Sequence, residues 1–258
     1  MAKAVWSPDQ YLKFEDERTR PANDLLGAVP NQDVKRAVDL GCGPGNSTEL
    51  LVKRYPEAVI EGIDASAEMI DKAKRRLPGI SFKVSDIDSW QPEDGADLLY
   101  ANAVMQWLPN HDQLFARLMG FLNQGGSLAI QMPDNLEQPT HVAMREVAAQ
   151  GEWANKMAQA DLSRTRVGDA SFYYQLLRPL AQRVDVWRTT YHHPVHGLDG
   201  IIEWFKGSGL RPYLDVLDED ERLRFLQAYR ARITPSYPVM HDGMVLLPFP
   251  RLFIVATC

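Results

Sequence analysis

Three glycines at alternate positions, Gly41, Gly43 and Gly45, stand in the run VDLGCGPGNS (residues 38–47) between a short apolar stretch and a helix-like segment that opens at Asn46. Glycine lets the backbone take angles that strain other residues and brings it close to a ligand. The amino end of a following helix favours a negative group. Such a turn can hold a dinucleotide, a nucleoside phosphate or S-adenosylmethionine (AdoMet). A dinucleotide site expects G-x-G-x-x-G, with its third glycine at position 46. Asn46 stands there, and the third glycine comes one residue early. A P-loop reading fails because no Gly-Lys-Ser/Thr follows.

Carboxylates at successive strand ends narrow the choice. Asp64 closes the strand-like AVIEGID (58–64), where a carboxylate can accept both hydroxyls of a ribose. Asp86 lies just past ISFKV (80–84), in reach of an adenine amino group. Asp39 sits beside the glycines, where it either orients the loop or faces the cation of an amino-acid moiety. Ligands of open α/β sheets bind outside the carboxyl ends of the strands. Each aspartate alone reads as a surface or capping residue; in this order the set favours an adenosine ligand.

The elements that must position these groups alternate from Arg36 onward. AVDLG (37–41) reads as a strand, Asn46 to Arg54 as a helix, and 58–64 as a strand. A helix follows from about Ser66 to Leu77, stopped by Pro78-Gly79. ISFKV and DLLYAN (97–102) read as strands, Asp112 to Leu122 as a helix ended by Asn123 to Gly126, and SLAIQM (127–132) as the next strand. Strands separated by helix-length segments predict a parallel sheet with right-handed crossovers. Upstream, Ser7 with Pro8 and then Pro21 with Leu25 and Leu26 mark two helices. After Pro133 the rhythm changes: 134–180 is helical in composition, VDVWRTTYH (184–192) strand-like, 198–232 helical, and RLFIVAT (251–257) a closing strand.

The chain has 258 residues, 45% apolar and 24% charged, ordinary values for a globular protein with a full core. A net charge of −6 does not suit binding to long nucleic acid, which rests on clustered cations. Cys42 and Cys258 alone make neither a disulfide framework nor a metal-ligand spacing. No signal-peptide pattern opens the chain, and its longest apolar tract, 244–258, is broken by Pro248, Pro250 and Arg251. A cytoplasmic protein without a membrane, nucleic-acid or obligate protein partner is the expectation.

VDLGCGPGN, GID with Asp64, SDI with Asp86 and Ile87, and ANAVMQWLP (101–109) together resemble the class I AdoMet-dependent methyltransferases. The resemblance implies an α/β, Rossmann-like fold: a seven-stranded, mostly parallel sheet, helices on both faces and a helical cap from late insertions. It divides one domain into a lid (1–35), a cofactor-binding core (36–133) and cap inserts (134–182 and 198–247). By the same resemblance Gly41, Gly43 and Gly45 lie against the methionine part of AdoMet, and Asp39 and Asn46 count among the cofactor-binding residues. Asp64 holds the ribose, Asp86 with the backbone at Ile87 reads the adenine, Asn102 and Ala103 line the floor with Gln106 and Trp107 nearby, and Ala65 and Met69 are further cofactor-binding residues. Five further stretches, YLKFEDERTRPANDLL, QMPDNLEQPTH, VDVWRTTYHH, GLRPYL and FPRLFIVA, resemble a branch of that family whose acceptor is a small tricarboxylic acid. They extend the likeness over nearly the whole chain.

A carboxylate acceptor is ionised at pH 7 and needs no general base, so no catalytic residue is assigned. Beyond residue 150 there are eleven Arg and two Lys, against eight Arg and seven Lys before it. Arginine offers the planar, two-pronged recognition of a carboxylate that lysine lacks. Arg222, Arg224, Arg230 and Arg232 lie in an acidic helical stretch and read as solvated. Arg20 and Arg211, each before a proline, are the candidate clamps. Gln131 at the end of its strand and Tyr11 in the lid are further candidate donors. His193 reads as either a substrate contact or a core histidine. Tyr173 and Tyr174 read as cap core, Trp187 and Trp204 as core. A hydroxyl acceptor would need a base, for which His192 or His193 would serve. A non-catalytic AdoMet-binding protein is the alternative from another class, and an NAD-dependent enzyme the weakest rival.

Overall fold

The computed structural model describes residues 15–158 and 166–258. Seven strands form one sheet in the order β3-β2-β1-β4-β5-β7-β6. They are β1 (Arg36–Leu40), β2 (Val59–Asp64), β3 (Ser81–Val84), β4 (Ala96–Asn102), β5 (Leu122–Pro133), β6 (Arg183–His196) and β7 (Met244–Thr257). The pairs among β1 to β5 are parallel, and β7 runs antiparallel to β5. The residues divide into two compact units.

The larger unit comprises Asp16–Pro133, Val167–Thr189 and Arg251–Cys258. Side chains alternate faces along a strand, and the register makes the two faces chemically different. One face carries Val38, Leu40, Ile63, Leu99, Ala101, Leu128, Ile130, Leu252 and Ile254, all buried in one apolar cluster. Leu114, Phe115 and Leu118 of α4 (His111–Met119) and Tyr173 and Leu177 of α7 (Ala170–Leu177) complete it. The other face carries Asp39, Asp64, Tyr100, Asn102, Gln131 and Arg251. Helices α1 (Glu15–Ala28), α2 (Asn46–Arg54) and α3 (Ala67–Arg76) also belong to this unit, and the Tyr100 hydroxyl donates to the Ala22 carbonyl of α1 at 2.6 Å.

The smaller unit holds Asp134–Arg166 and Thr190–Pro250. Its helices are α5 (Pro139–Ala148), α6 (Ala154–Met157), α8 (Gly197–Lys206), α9 (Arg211–Leu214) and α10 (Glu219–Ile233). Met144, Trp153, Ile201, Trp204, Phe205, Phe225, Tyr229 and Ile233 form its core. Asp218 and Glu221 close a reciprocal capping box at the start of α10. Arg224, Arg230 and Arg232 pair with Glu152, Asp199 and Glu146 on exposed helix faces, and Arg222 donates to the Leu214 carbonyl at 2.7 Å.

Several local expectations change. The expected turn at 123–126 lies inside β5, which starts at Leu122; Gly125 (φ +78°) supplies the left-handed step that lets the strand pass. The helix before it ends at Met119, three residues short of expectation. Within the described residues α1 covers Glu15–Ala28 and runs through Pro21, where a separate helix was expected to start; Ser7 and Pro8 lie outside the described residues. Residues 167–182, expected in the cap, group with the sheet, because Tyr173, Leu177 and Ala181 fill the apolar cluster beside Phe115. Tyr173 is therefore core of the sheet unit, whereas Tyr174 is exposed. Trp204 is core of the smaller unit; Trp187 is half-buried and stacks on Phe253 at 4.9 Å. Among the described residues no helix is long and apolar enough to cross a membrane, and no cluster of His, Cys, Asp and Glu is placed to hold a metal ion.

Candidate functional site

The glycine loop leaves β1 and enters α2 in a tight left-handed course: Gly41, Gly43 and Gly45 have φ of 71°, 53° and 91°. The amides of Gly41 and Cys42 both donate to the Ile63 carbonyl of β2, at 2.8 and 2.9 Å. At Gly41 a Cβ atom would lie 2.4 Å from Val104 Cγ2, so this position is closed to any side chain. At Gly43 nothing lies within 4 Å of that point, and the loop is open there.

Two buried or half-buried carboxylates hold the loop. Asp39 is wholly buried and accepts at Oδ2 from Ser47 Oγ (2.7 Å) and Thr48 Oγ1 (2.6 Å), tying β1 to the first turn of α2. Loop orientation, one of its two expected roles, is thus visible in its contacts. Asp64 accepts from the Gly43 amide at Oδ2 (3.0 Å) and from the Ser66 amide at Oδ1 (2.8 Å). Burial lifts its pKa above the ordinary value, opposed by those two amides. Each carboxylate oxygen has a further lone pair, which a ribose hydroxyl can use.

Burial also pushes the Asp39 carboxyl up, to about 6, against the two hydroxyl donors. The folded state then binds a proton that the unfolded chain, with a carboxyl near 3.9, has released. Stability must fall as pH rises from about 4 to about 6, and the whole cost persists above it. Between pH 5 and 7.5 this amounts to about 1 kcal/mol. Asp39→Asn keeps an acceptor for the hydroxyls and removes the titration. Its stability relative to wild type, measured by urea unfolding, should therefore be higher by about that much at pH 7.5 than at pH 5. An equal difference at both pH values would reject the assignment.

Beyond β3, Asp86 is exposed and caps its own turn, Oδ1 accepting from the Asp88 amide at 3.0 Å. Ile87 is buried. Arg117 of α4 fixes this turn from below, donating to the carbonyls of Ile87 (2.5 Å) and Trp90 (2.7 Å). After β4, Ala103 sits at φ 56° while its amide donates to the Gln131 carbonyl at 2.9 Å, and Gln106 Nε2 donates to the Ala103 carbonyl at 2.7 Å. The Asn102 Oδ1 atom is buried without a hydrogen-bond partner, and Trp107 is half-buried in the same turn. The ring nitrogens of His111 contact the Met105 carbonyl (2.8 Å) and the Tyr173 hydroxyl (2.7 Å), and that hydroxyl accepts from the Gly168 amide (3.2 Å). These bonds fit a neutral imidazole donating from Nε2, as does the burial that lowers its pKa. Asn46 opens α2, and Ala65 (exposed) and Met69 (buried) flank the start of α3, whose N-cap Ser66 accepts from the Met69 amide.

The expected substrate contacts are divided between the two units, Arg20 and Gln131 in the larger and His193 and Arg211 in the smaller. Tyr11 lies outside the described residues. Arg20 is exposed on α1. Arg211, at the start of α9, pairs with Asp215 at 3.3 Å. His193 is buried in an aromatic cluster, its ring 4.6 Å from Trp204 and 5.9 Å from Phe249. Gln131 is wholly buried and accepts at Oε1 from Arg251 Nη1 at 3.1 Å. Ser47, Thr48, His111, Arg117 and Arg251 were not singled out from the sequence as site residues. Only Ser47 and Thr48 carried a signal, as hydroxyls in the first turn after the loop; the others act across long sequence separations.

The site fits AdoMet on its own features: an open glycine cradle, a carboxylate at the end of β2, and an unsatisfied buried acceptor at the end of β4. Residues 37–126 match the family described as "Methyltransferase domain". The trans-aconitate 2-methyltransferase of Methylobacterium nodulans is 55% identical over 253 residues, 98% of each chain. That of Rhodopseudomonas palustris strain BisB18 is 52% identical over 253 residues, 98% of this chain and 99% of the relative. The crystal structure of the YcgJ protein from Bacillus subtilis superimposes with a TM-score of 0.62 at 13% identity, covering 92% of this chain and 97% of that one, which establishes the shared fold. Identity above half over 98% of the chain reaches well past the cofactor motifs. The chain belongs to the trans-aconitate 2-methyltransferase family of AdoMet-dependent methyltransferases.

Proposed function

We propose that the protein transfers the methyl group of AdoMet to a carboxylate of trans-aconitate, giving a monomethyl ester and S-adenosylhomocysteine. The observation that carries this reading is identity above 50% over 98% of the chain to curated trans-aconitate 2-methyltransferases. Bound AdoMet supplies an electrophilic methyl on its sulfonium. The chain's part is to hold the donor, align the acceptor oxygen in line with the methyl and exclude water from it. Gly41 to Asn46 and Asp64 hold the donor's methionine and ribose, Asp86 and Ile87 its adenine, and Asn102, Ala103, Gln106 and Trp107 form the floor. Ala65 and Met69 flank the ribose.

The acceptor carboxylate is ionised at neutral pH, so none of these residues needs to remove a proton. Because the reaction joins an anion to a cation, a strong cationic clamp on the reacting carboxylate would stabilise the ground state and slow transfer. Cations are better placed on the acceptor's other carboxylates. Tyr11, Arg20, Gln131, His193 and Arg211 are the residues we assign to acceptor binding. A small anionic acceptor and a net charge of −6 fit a cytoplasmic enzyme acting without nucleic acid, membrane or protein partner.

The test is a methyl-transfer assay with AdoMet over small di- and tricarboxylic acids, with the ester located by mass spectrometry. Trans-aconitate should be the preferred acceptor. Preference for another acid, or transfer to a hydroxyl, would overturn the substrate. AdoMet binding without transfer to any acceptor would mean a non-catalytic binding protein.

A further inference from the structure

The register lines up five polar residues on one face of the sheet. In strand order they are Asp64 on β2, Asp39 on β1, Asn102 on β4, Gln131 on β5 and Arg251 on β7. The first three belong to the donor half of the site. Asn102 pairs directly with Gln131, and Arg251 pairs with Pro133, two residues on from Gln131. At about 5 Å per strand, Gln131 and Arg251 lie one and two strands beyond the donor floor.

Gln131 is 0% exposed and Arg251 4%. A guanidinium only donates, so the amide oxygen of Gln131 must face Arg251, as its 3.1 Å contact records, and the amide nitrogen must face away. That nitrogen is buried without a hydrogen-bond partner. A buried donor left unmade costs about 1–3 kcal/mol, a cost that a ligand oxygen would remove. Two donors on Nε2, backed by a fixed positive charge, suit an anion. A neutral amide in direct contact, with the cation one bond behind it, holds a carboxylate without gripping it as a bare guanidinium would.

Resting on the proposed acceptor, we propose that Gln131 Nε2 binds a carboxylate of the tricarboxylate and that Arg251 acts as its positioning residue. Arg251 orients the amide and supplies the charge that favours anions.

Trans-aconitate is titrated calorimetrically into the enzyme saturated with S-adenosylhomocysteine, so that no turnover is needed. Gln131→Met and Arg251→Met should each weaken acceptor binding about 10- to 100-fold and leave S-adenosylhomocysteine affinity within about twofold. Gln131→Glu, nearly isosteric and able to pair with Arg251, should be at least as damaging, because it puts a carboxylate where the ligand's must go. Arg251→Lys, which keeps the charge but not the fork, should recover part of the loss. In turnover KM for the acceptor should rise more than kcat falls. Unchanged acceptor affinity in both Gln131 variants, or a parallel loss of S-adenosylhomocysteine affinity, would overturn the proposal and leave the substrate assignment standing. Failure of the wild-type enzyme to bind trans-aconitate would overturn both.

Discussion

Asp64→Ala is expected to weaken AdoMet binding about 100-fold, close to 3 kcal/mol. Hydrogen bonds to a charged group contribute about 1.5–3 kcal/mol each, and a ribose offers two hydroxyls to this carboxylate. The substitution also frees the amides of Gly43 and Ser66, which Asp64 holds at 3.0 and 2.8 Å, so the glycine cradle loses an anchor as well as the ligand its acceptor. Asp64→Asn separates the two contributions. Its single amide oxygen can keep one backbone amide but not both, and a loss of about tenfold is expected. Calorimetric titration with AdoMet reads both variants; an alanine variant within about threefold of wild type would remove Asp64 from the site.

Gly41→Ala is expected to cost about 3 kcal/mol of stability and to abolish measurable AdoMet binding. Two independent penalties add. A non-glycine residue held at φ 71° loses about 1–2 kcal/mol, and its Cβ would meet Val104 Cγ2 at 2.4 Å, an overpacking cost of about 1–3 kcal/mol. Because the causes differ, they can be divided. Val104→Gly in the Gly41→Ala background should restore the steric part, about half of the loss, while the conformational part stays; alanine would not serve, because the Val104 Cβ itself lies 2.6 Å from the added methyl. Denaturant unfolding of the two single variants and the double variant gives the coupling; strict additivity would mean that Val104 is not the obstacle.

The cofactor half of the fold is legible in the sequence because its determinants are local. The helix expected from Asn46 to Arg54 is found with those bounds, and Asp64 closes β2 as its pattern indicates. Ser66, where the next helix was expected to start, is its N-cap. The rest depends on partners far along the chain. Nothing near Tyr173 states that its ring will stack on Phe115, 5.5 Å away, so α7 was expected in the cap instead of against the sheet. Arg117 reaches the carbonyl of Ile87 thirty residues back, and Arg251 reaches Gln131 across 120 residues; on the page both look like ordinary surface cations. β7 begins at Met244, seven residues before its expected start, because Pro248 and Pro250 suggest a break. A proline forfeits only its donor, and the Pro250 carbonyl still accepts from the Asp134 amide at 2.9 Å.

The sheet's two unlike faces place different demands on inheritance. The face under Phe115 and Tyr173 asks only for apolar volume, a requirement that many sequences meet. The face bearing Asp64, Asp39, Asn102, Gln131 and Arg251 asks for particular atoms at particular strand positions. A fold divided in this way can shed most of its residue identities and keep its shape, as the 13% identity behind a TM-score of 0.62 illustrates. It also tells a protein engineer where to randomise. On the acceptor role proposed for Gln131 and Arg251, a library confined to the β5 and β7 positions of the polar face would explore new acceptors while leaving both the glycine loop and the apolar core that folds the chain untouched.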